Sequence, residues 1–411
     1  MAHKLALLGG SPVRSRPFTS WPVFGKPEEK RLLRTLRSGN WGRLQGTEVA
    51  EFEKRFAAAH GCKHGIAVVN GTVSLRIALL AAGIRAEDEV IVPPYTFFST
   101  ASAVIETNAV PVFADVDLDT FNIDPAAVEA AITPRTRAII PVHFAGQPAD
   151  MESIMTIARK RKLIVIEDAA HAHGAASGKR PAGSLGHLGS FSFQSSKNMT
   201  AGEGGIITTN DDALAEACRS IHNCGRIPSG LWYEHHVISG NHRLGEFQGA
   251  VLNCQLDRLK EQTAKRDRNG QYLATRISRL PGIYPQKRPA DCSRHSYHLF
   301  MLRLVSEEFG VTRLDAIKAL QAEGIPCSAG YGFSLPQQPM FANKAFGPYL
   351  PKAKLNYRKV RCPKSDLLCR EQTIWLDQSI FLGTRGDMDD IAHAFEKVYE
   401  NRDALINSSR R

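Results

Sequence analysis

Residues 190–205 read Ser190-Phe191-Ser192-Phe193-Gln194-Ser195-Ser196-Lys197-Asn198-Met199-Thr200-Ala201-Gly202-Glu203-Gly204-Gly205. The first four alternate as a strand does. The rest is a Ser/Thr/Gly-rich loop carrying one lysine. Lys197 has two readings: a solvated loop side chain, or an amine that forms a Schiff base with a carbonyl. Gly202, Gly204 and Gly205 let the backbone pass close to a bound group.

Upstream, an apolar strand at 163–167 runs into Glu167-Asp168-Ala169-Ala170-His171-Ala172-His173-Gly174. Asp-x-x-His-x-His reads either as metal ligands or as an aspartate holding a cationic nitrogen, with His171 as a nearby ring or hydrogen-bonding contact. No second acidic or histidine segment of that pattern completes a metal site. Further upstream, Asn70-Gly71-Thr72-Val73-Ser74 follows a strand at 66–69 and opens a helix. It reads as a capped turn or as a phosphate cradle of free helix-terminal N–H groups. Pro94-Tyr95-Thr96-Phe97-Phe98 follows the strand 89–92 and offers aromatics either to the core or to a planar ligand.

These segments lie in a regular alternation. Strands are predicted at 66–69, 89–92, 110–114, 137–141, 163–167, 188–193 and 205–209. Helices are predicted between them at 73–82, 99–106, 125–132 and 151–160. Such alternation predicts an α/β domain with a mostly parallel sheet, whose ligands bind at the carboxyl ends of the strands. Before it, helices are predicted from near Pro27 and over 47–58. After it come a long helix over 245–280 and a smaller α+β unit, with a strand at 297–304, a helix at 314–323 and a closing helix at 387–399. The Pro- and Gly-rich stretch 333–362 is expected to be a long functional loop. The expected division is an N-terminal arm with helices (1–60), a large domain (61–280) and a small C-terminal domain (281–411).

The chain of 411 residues has 43% hydrophobic and 23% charged residues and a net charge of +11. This composition excludes a disordered, collagenous or coiled-coil chain. The surplus charge favours an anionic small ligand over nucleic acid, because no Lys/Arg block or nucleic-acid motif stands out. The eight cysteines form no Cys-x-x-Cys pair and are expected to be reduced. With no signal peptide and no apolar run of membrane length, a cytoplasmic protein is expected, with neither nucleic acid nor membrane as partner.

A phosphate cradle, a stacking aromatic, an aspartate for a pyridinium nitrogen and a Schiff-base lysine are together what pyridoxal phosphate requires. On Ser190–Gly205 and Glu167–Gly174, the chain resembles the DegT/StrS sugar aminotransferases of the fold-type-I, aspartate aminotransferase superfamily. The resemblance extends from Ser38-Gly39-Asn40-Trp41 to the C-terminal helix. It implies pyridoxal 5′-phosphate as cofactor, Lys197 as its covalent lysine and proton carrier, and Asp168 at the pyridine nitrogen. It further implies that His171 sits where relatives often have Gln, that Phe97 stacks on the ring, and that the Ser192 hydroxyl and the Thr72 and Val73 amides bind phosphate. Asn241, in Ser239-Gly240-Asn241-His242-Arg243, resembles the asparagine that reaches the neighbouring subunit's phosphate, which implies a homodimer with shared active sites. The expected reaction moves an amino group from glutamate or glutamine to a keto sugar or an inosose-like keto-cyclitol. The openings Leu7–Arg14 and Asn40–Arg43 resemble the cyclitol branch. The alternatives are a nucleotide-linked keto-sugar substrate, or a pyridoxal-phosphate-binding regulator without turnover.

Overall fold

The computed structural model describes residues 4–350 and 356–409. Pro27 in the first turn, with Glu28 and Glu29 beside it, starts α1 (Lys26–Ser38), and Gly39 in the left-handed region ends it. Helix α2 (Glu48–Ala59) leads into β1 (His64–Val68), and Asn70 caps α3 (Gly71–Ala81). Then alternate β2 (Glu89–Val92), α4 (Ser99–Ile105), β3 (Val110–Phe113), α5 (Pro125–Ala131), β4 (Thr136–Ile139), α6 (Met151–Arg161) and β5 (Ile164–Asp168). A two-stranded ribbon, β6 (Ala176–Ser177) and β7 (Arg180–Pro181), precedes β8 (Leu188–Ser192) and β9 (Gly205–Thr209). Helix α7 (Asp212–His222) and the 32-residue α8 (Glu246–Ile277) follow.

Among the described residues, the main sheet has the order β1-β9-β8-β5-β4-β2-β3. Strands β8, β5, β4, β2 and β3 are mutually parallel, and β9 runs against its neighbours β8 and β1. The lysine-bearing loop is therefore the connection of an antiparallel pair, closed where Phe193 N–H donates to Gly204 O at 2.8 Å. Strands β2 and β8 are buried throughout, as parallel strands covered on both faces must be. One face packs on α3, α4 and α7 through Leu75, Val104 and Cys218; the other packs on α5 and α6 through Val128 and Ile154.

The small unit is an antiparallel sheet of β10 (Ile283–Pro285), β11 (Leu299–Leu304) and β12 (Thr373–Asp377), covered by helices Arg313–Ala322 and Arg385–Glu400. The start of the chain belongs to this core. Leu5 is fully buried in it, the Glu323 carboxylate accepts the Ala6 and Val13 N–H groups, and Arg14 bridges Asp387 and Asp390 at 2.7 Å each. Helix α2 instead packs along α8.

Several expectations change. The strand predicted at 297–304 begins at Leu299, because Tyr297 holds a φ of 44°, outside the extended region. Helix Arg385–Glu400 does not close the chain; Arg402–Ser409 follows it. Helix α7 and strands β10 and β12 were not predicted. The stretch 333–362, expected as a functional loop, covers the edge of the main sheet: Phe341 and Tyr357 are buried against Phe113 of β3. Each fully buried aromatic of this kind contributes roughly 1.5–3 kcal/mol, which explains why so irregular a stretch stays in place. Positions 351–355 of that stretch lie outside the described residues. All eight cysteines are free thiols. No helix among the described residues is long and apolar enough to cross a membrane.

Candidate active site

The carboxyl ends of the central strands open into a cavity of about 820 Å³. Its floor begins at the amino end of α3. Asn70 Oδ1 accepts the Val73 N–H at 2.8 Å, the usual target of an asparagine cap. Val73, expected to present its amide to a phosphate, has that amide engaged and lies outside the cavity lining. Gly71 and Thr72, whose N–H groups have no preceding-turn carbonyl, line the cavity instead. Gly71 is forced by proximity: a Cβ there would lie 2.7 Å from Ser192 Cβ at the end of β8. Ser192 lines the same corner, and Thr72 Oγ1 is 2.8 Å from Ser99 Oγ. The first residues of α3 and the Ser192 hydroxyl group thus line one corner of the cavity, and the amino end of a helix favours an anion.

Asp168 ends β5 and is 6% exposed. Thr100 Oγ1 donates to its Oδ2 at 2.8 Å, and Ala170 N–H donates to Oδ1 at 3.2 Å. Burial raises the Asp168 carboxyl above its ordinary value, opposed by those two bonds and by the charge of Lys197. A buried carboxylate so placed gains most from a cationic partner.

Lys197 lies in the cavity wall on its loop, turned in by the bond from its N–H to Gln194 O at 2.9 Å. Its neighbours anchor the loop: Asn198 Nδ2 donates to Ser296 O at 2.7 Å, Met199 is fully buried, and Thr200 Oγ1 donates to Phe193 O at 2.9 Å. Burial pushes the Lys197 amine down to about 8, against the pull of Asp168. No protein group among the described residues hydrogen-bonds its Nζ. An unpaired, half-buried amine near neutrality in its pKa is a nucleophile and a proton carrier.

His171 is buried in the wall, with Nδ1 accepting the Ala145 N–H at 3.3 Å. Burial, then the charges of Lys197 and His173, hold it well below its usual pKa, so the ring is neutral. His173 does not join it; its ring packs on Phe191 and Phe193 in the core beneath the site. Phe97 stands at the cavity edge, 53% exposed and edge-on to Phe98. Asn241 is exposed on a different surface, where its Oδ1 accepts the Arg243 N–H at 3.3 Å, and it is not part of the cavity lining.

The sequence reading missed Trp21, Thr100, His298 and Trp375 in this wall. Trp21 arrives from the N-terminal arm and donates its indole N–H to Ser195 O at 2.9 Å. Trp375, on β12, sets its ring edge-on to Tyr331 at 4.8 Å and donates to the Tyr95 hydroxyl at 3.2 Å. The small unit therefore closes the cavity that the large sheet opens. The available signal was the aromatic richness of the small unit, which does not distinguish wall from core.

Comparison with known proteins agrees with this geometry. The family model described as the DegT/DnrJ/EryC1/StrS aminotransferase family matches residues 24–374. The chain is 37% identical to L-glutamine:2-deoxy-scyllo-inosose aminotransferase of Streptomyces kanamyceticus, over 98% of this chain and 99% of that one. It is 37% identical to 3-amino-5-hydroxybenzoate synthase of Amycolatopsis mediterranei, over 89% and 93%. A crystal structure of 3-amino-5-hydroxybenzoic acid synthase, 36% identical, superposes with a TM-score of 0.86 over 94% of this chain and all of that one. The fold is that of the fold-type-I aminotransferases, as expected from the order of the four motifs along the chain and from the family resemblance. With its lysine, aspartate and anion cradle gathered at the strand ends and the family model spanning both units, the chain belongs to the DegT/DnrJ/EryC1/StrS aminotransferase family and is an enzyme.

Proposed function

We propose that this aminotransferase uses pyridoxal 5′-phosphate to move the amino group of glutamine to the ketone of a keto-cyclitol. The observation that carries the proposal is Lys197: an unpaired amine, pushed down to about 8, sharing one cavity with buried Asp168. The cavity's residues fit the cofactor. The Gly71 and Thr72 amides and the Ser192 hydroxyl would hold its phosphate, and a Cβ at Gly71 would fill that corner. Asp168 would hold the ring nitrogen, Phe97 would lie against the ring, and neutral His171 has its Nε2–H free to donate. When bound, the cofactor supplies an electron sink for a substrate carbon that loses a proton.

The protein's own groups do the rest. Asp168, oriented by Thr100 and Ala170, would favour a positive charge on the ring nitrogen it holds. Lys197 Nζ, neutral in part at physiological pH, would take the proton from the substrate carbon that bears the amino group and carry it to the carbon on the other side of that nitrogen. Trp21, Tyr331 and Trp375 wall the cavity and exclude water from this transfer. Glutamine as donor and a cyclitol ketone as acceptor are supported by the relative that carries that name and aligns end to end.

We also infer that the active form is a homodimer with shared sites, in which Asn241 completes the partner's phosphate site. Beside Asn241 lie Leu231, Trp232, Tyr233, Val237 and Ile238, all exposed, and a cluster of exposed apolar side chains supports an interface.

The test is a half-reaction screen. Enzyme aminated with glutamine is mixed with keto-cyclitols and with nucleotide-linked keto sugars, and return of the cofactor absorbance is followed. Fast return with a keto-cyclitol is expected. Return only with the nucleotide-linked sugars overturns the substrate class, and absence of any glutamine half-reaction overturns the donor.

A further inference from the structure

His298 lines the same cavity, and no step above uses it. Its imidazole is fixed from two sides. Nδ1 lies 3.1 Å from Asn198 Oδ1, while Asn198 Nδ2 donates to Ser296 O. The amide orientation is therefore set, Oδ1 is the acceptor, and His298 carries its proton on Nδ1. Nε2 is left with a lone pair and has no hydrogen-bond partner among the described residues. The ring's other neighbour is His171, with centroids 4.1 Å apart and planes 37° apart. His171 is the opposite tautomer, since its Nδ1 accepts from Ala145. The two rings thus present one N–H and one bare nitrogen side by side.

The backbone holds His298 at a cost. Tyr297, immediately before it, has a φ of 44°, a conformation that a bulky residue rarely adopts. That conformation is locked: Tyr297 N–H donates to His295 Nδ1 at 2.8 Å, and its ring stacks on His295 at 3.8 Å. On the α8 side, a Cβ at Gly270 would come 2.5 Å from the Tyr297 ring. Ser296 Oγ also donates to His171 O at 2.8 Å, tying the two histidine segments together. Strain that the surroundings over-determine in this way is found where a side chain has to be aimed. Burial first, then the nearness of His171 and of the Lys197 amine, holds the ring well below its ordinary pKa, so it is neutral and the lone pair is free.

We propose that His298 is a specificity-determining residue whose Nε2 accepts a hydrogen bond from a hydroxyl on the ring of the acceptor ketone. The proposal rests on the reading of the cavity as an amino-transfer site for a keto-cyclitol. A bare neutral nitrogen suits a polyol, which offers an O–H from nearly every carbon. It gains nothing from a carboxylate or phosphate, which has no proton to give, and a ketone without the hydroxyl leaves it unpaired in a water-poor wall.

The experiment compares His298→Phe, which keeps a planar ring without the lone pair, with His298→Gln, whose amide oxygen can take the Nε2 position. Each half-reaction is measured by stopped flow, glutamine as donor and scyllo-inosose as acceptor. Binding of scyllo-inositol to the cofactor-loaded protein is measured by calorimetry. His298→Phe is expected to lower kcat/KM for scyllo-inosose about tenfold or more and to weaken scyllo-inositol binding, while the glutamine half-reaction changes less than about threefold. His298→Gln is expected to recover part of the loss. Equal losses in both half-reactions would mean that His298 acts on Lys197 through Asn198 and overturn the proposal, as would no loss in either. Wild-type enzyme inert towards scyllo-inosose overturns the substrate reading, and scyllo-inositol binding that His298→Phe weakens still supports the hydroxyl contact.

Discussion

Thr100, in the first turn of α4, donates its hydroxyl to Asp168 Oδ2 at 2.8 Å, joining the start of that helix to the end of β5, 68 positions apart in sequence. Together with the bond from the Ala170 N–H to Oδ1, it fixes the orientation of the carboxylate. Thr100→Val preserves shape and removes only the donor. It is expected to slow the glutamine half-reaction about tenfold, the usual worth of a hydrogen bond to a charged group. Asp168→Asn is expected to do far more, since losing one partner of a buried charged pair costs about 3–5 kcal/mol. Equal rates for Thr100→Val and wild type would show that Asp168 needs no orientation.

Lys197 should declare its pKa chemically. In the cofactor-free chain, its reaction with an amine-directed acylating reagent, followed by peptide mass mapping, is expected to rise about tenfold per pH unit and level off near pH 8. Ordinary surface lysines continue to rise to about pH 10. Asp168→Asn removes the charge that holds the proton on Lys197, so its plateau should move to lower pH. Lys197→Ala should fold yet lose covalent cofactor after borohydride reduction. Lys197→Arg should lose it too, because a guanidinium stays protonated.

Gly71→Ala tests the anion cradle. The new Cβ would meet Ser192 Cβ at 2.7 Å, so α3 or β8 must shift. Over-packing of this kind costs about 1–3 kcal/mol. Cofactor affinity, measured by fluorescence titration, is expected to fall roughly five- to hundredfold, and thermal unfolding of the cofactor-free chain to drop by a few degrees at most. A variant that binds cofactor like wild type removes this corner from the phosphate site.

Subunit mixing tests Asn241. Lys197→Ala and Asn241→Ala subunits, unfolded and refolded together, would form hybrids with one intact and one doubly damaged site. The mixture is expected to exceed either parent in turnover. Hybrids confirmed by native mass spectrometry with only parental activity would place Asn241 outside the partner's site.

Acid should unfold the protein through its buried histidines. His60 and His222 are pushed down to about 4 by burial, and His171, His173, His295 and His298 are held well below their ordinary value for the same reason. In the unfolded chain each titrates near 6.5, so below that pH the unfolded state binds more protons. Stability is then complete above about pH 6.5 and falls as the pH drops towards 4, by up to about 1.4 kcal/mol per unit for each histidine. Urea midpoints measured from pH 7 to 5 should fall steeply; a flat profile would mean that these rings titrate in the fold as they do in the unfolded chain.

The main sheet was legible because its strands are short, apolar and separated by helical periods, and because ligands of such sheets gather at strand ends. Lys197, Asp168, Ser192 and the Gly71–Thr72 turn, which line one cavity, stood out for the same local reason: each lies at or just beyond the carboxyl end of a strand. Strands β10 and β12 were not legible: β10 is three residues set among Pro and Gly that fit a loop equally well, and β12 is a short run flanked by helical turns on both sides. Trp21 and Trp375 could not be assigned to the cavity, since nothing local separates a wall aromatic from a core one.

The sequence by itself determined the fold class and the family and singled out the candidate site residues, because those depend on local pattern and on motif. Only the tertiary structure decided how they are tuned. The proton affinity of Lys197, the orientation of Asp168 by Thr100 and the opposite tautomers of His171 and His298 depend on burial and on neighbours brought in from distant segments. Desolvation and hydrogen bonding act over a few ångströms, and those distances exist only once the chain has closed on itself.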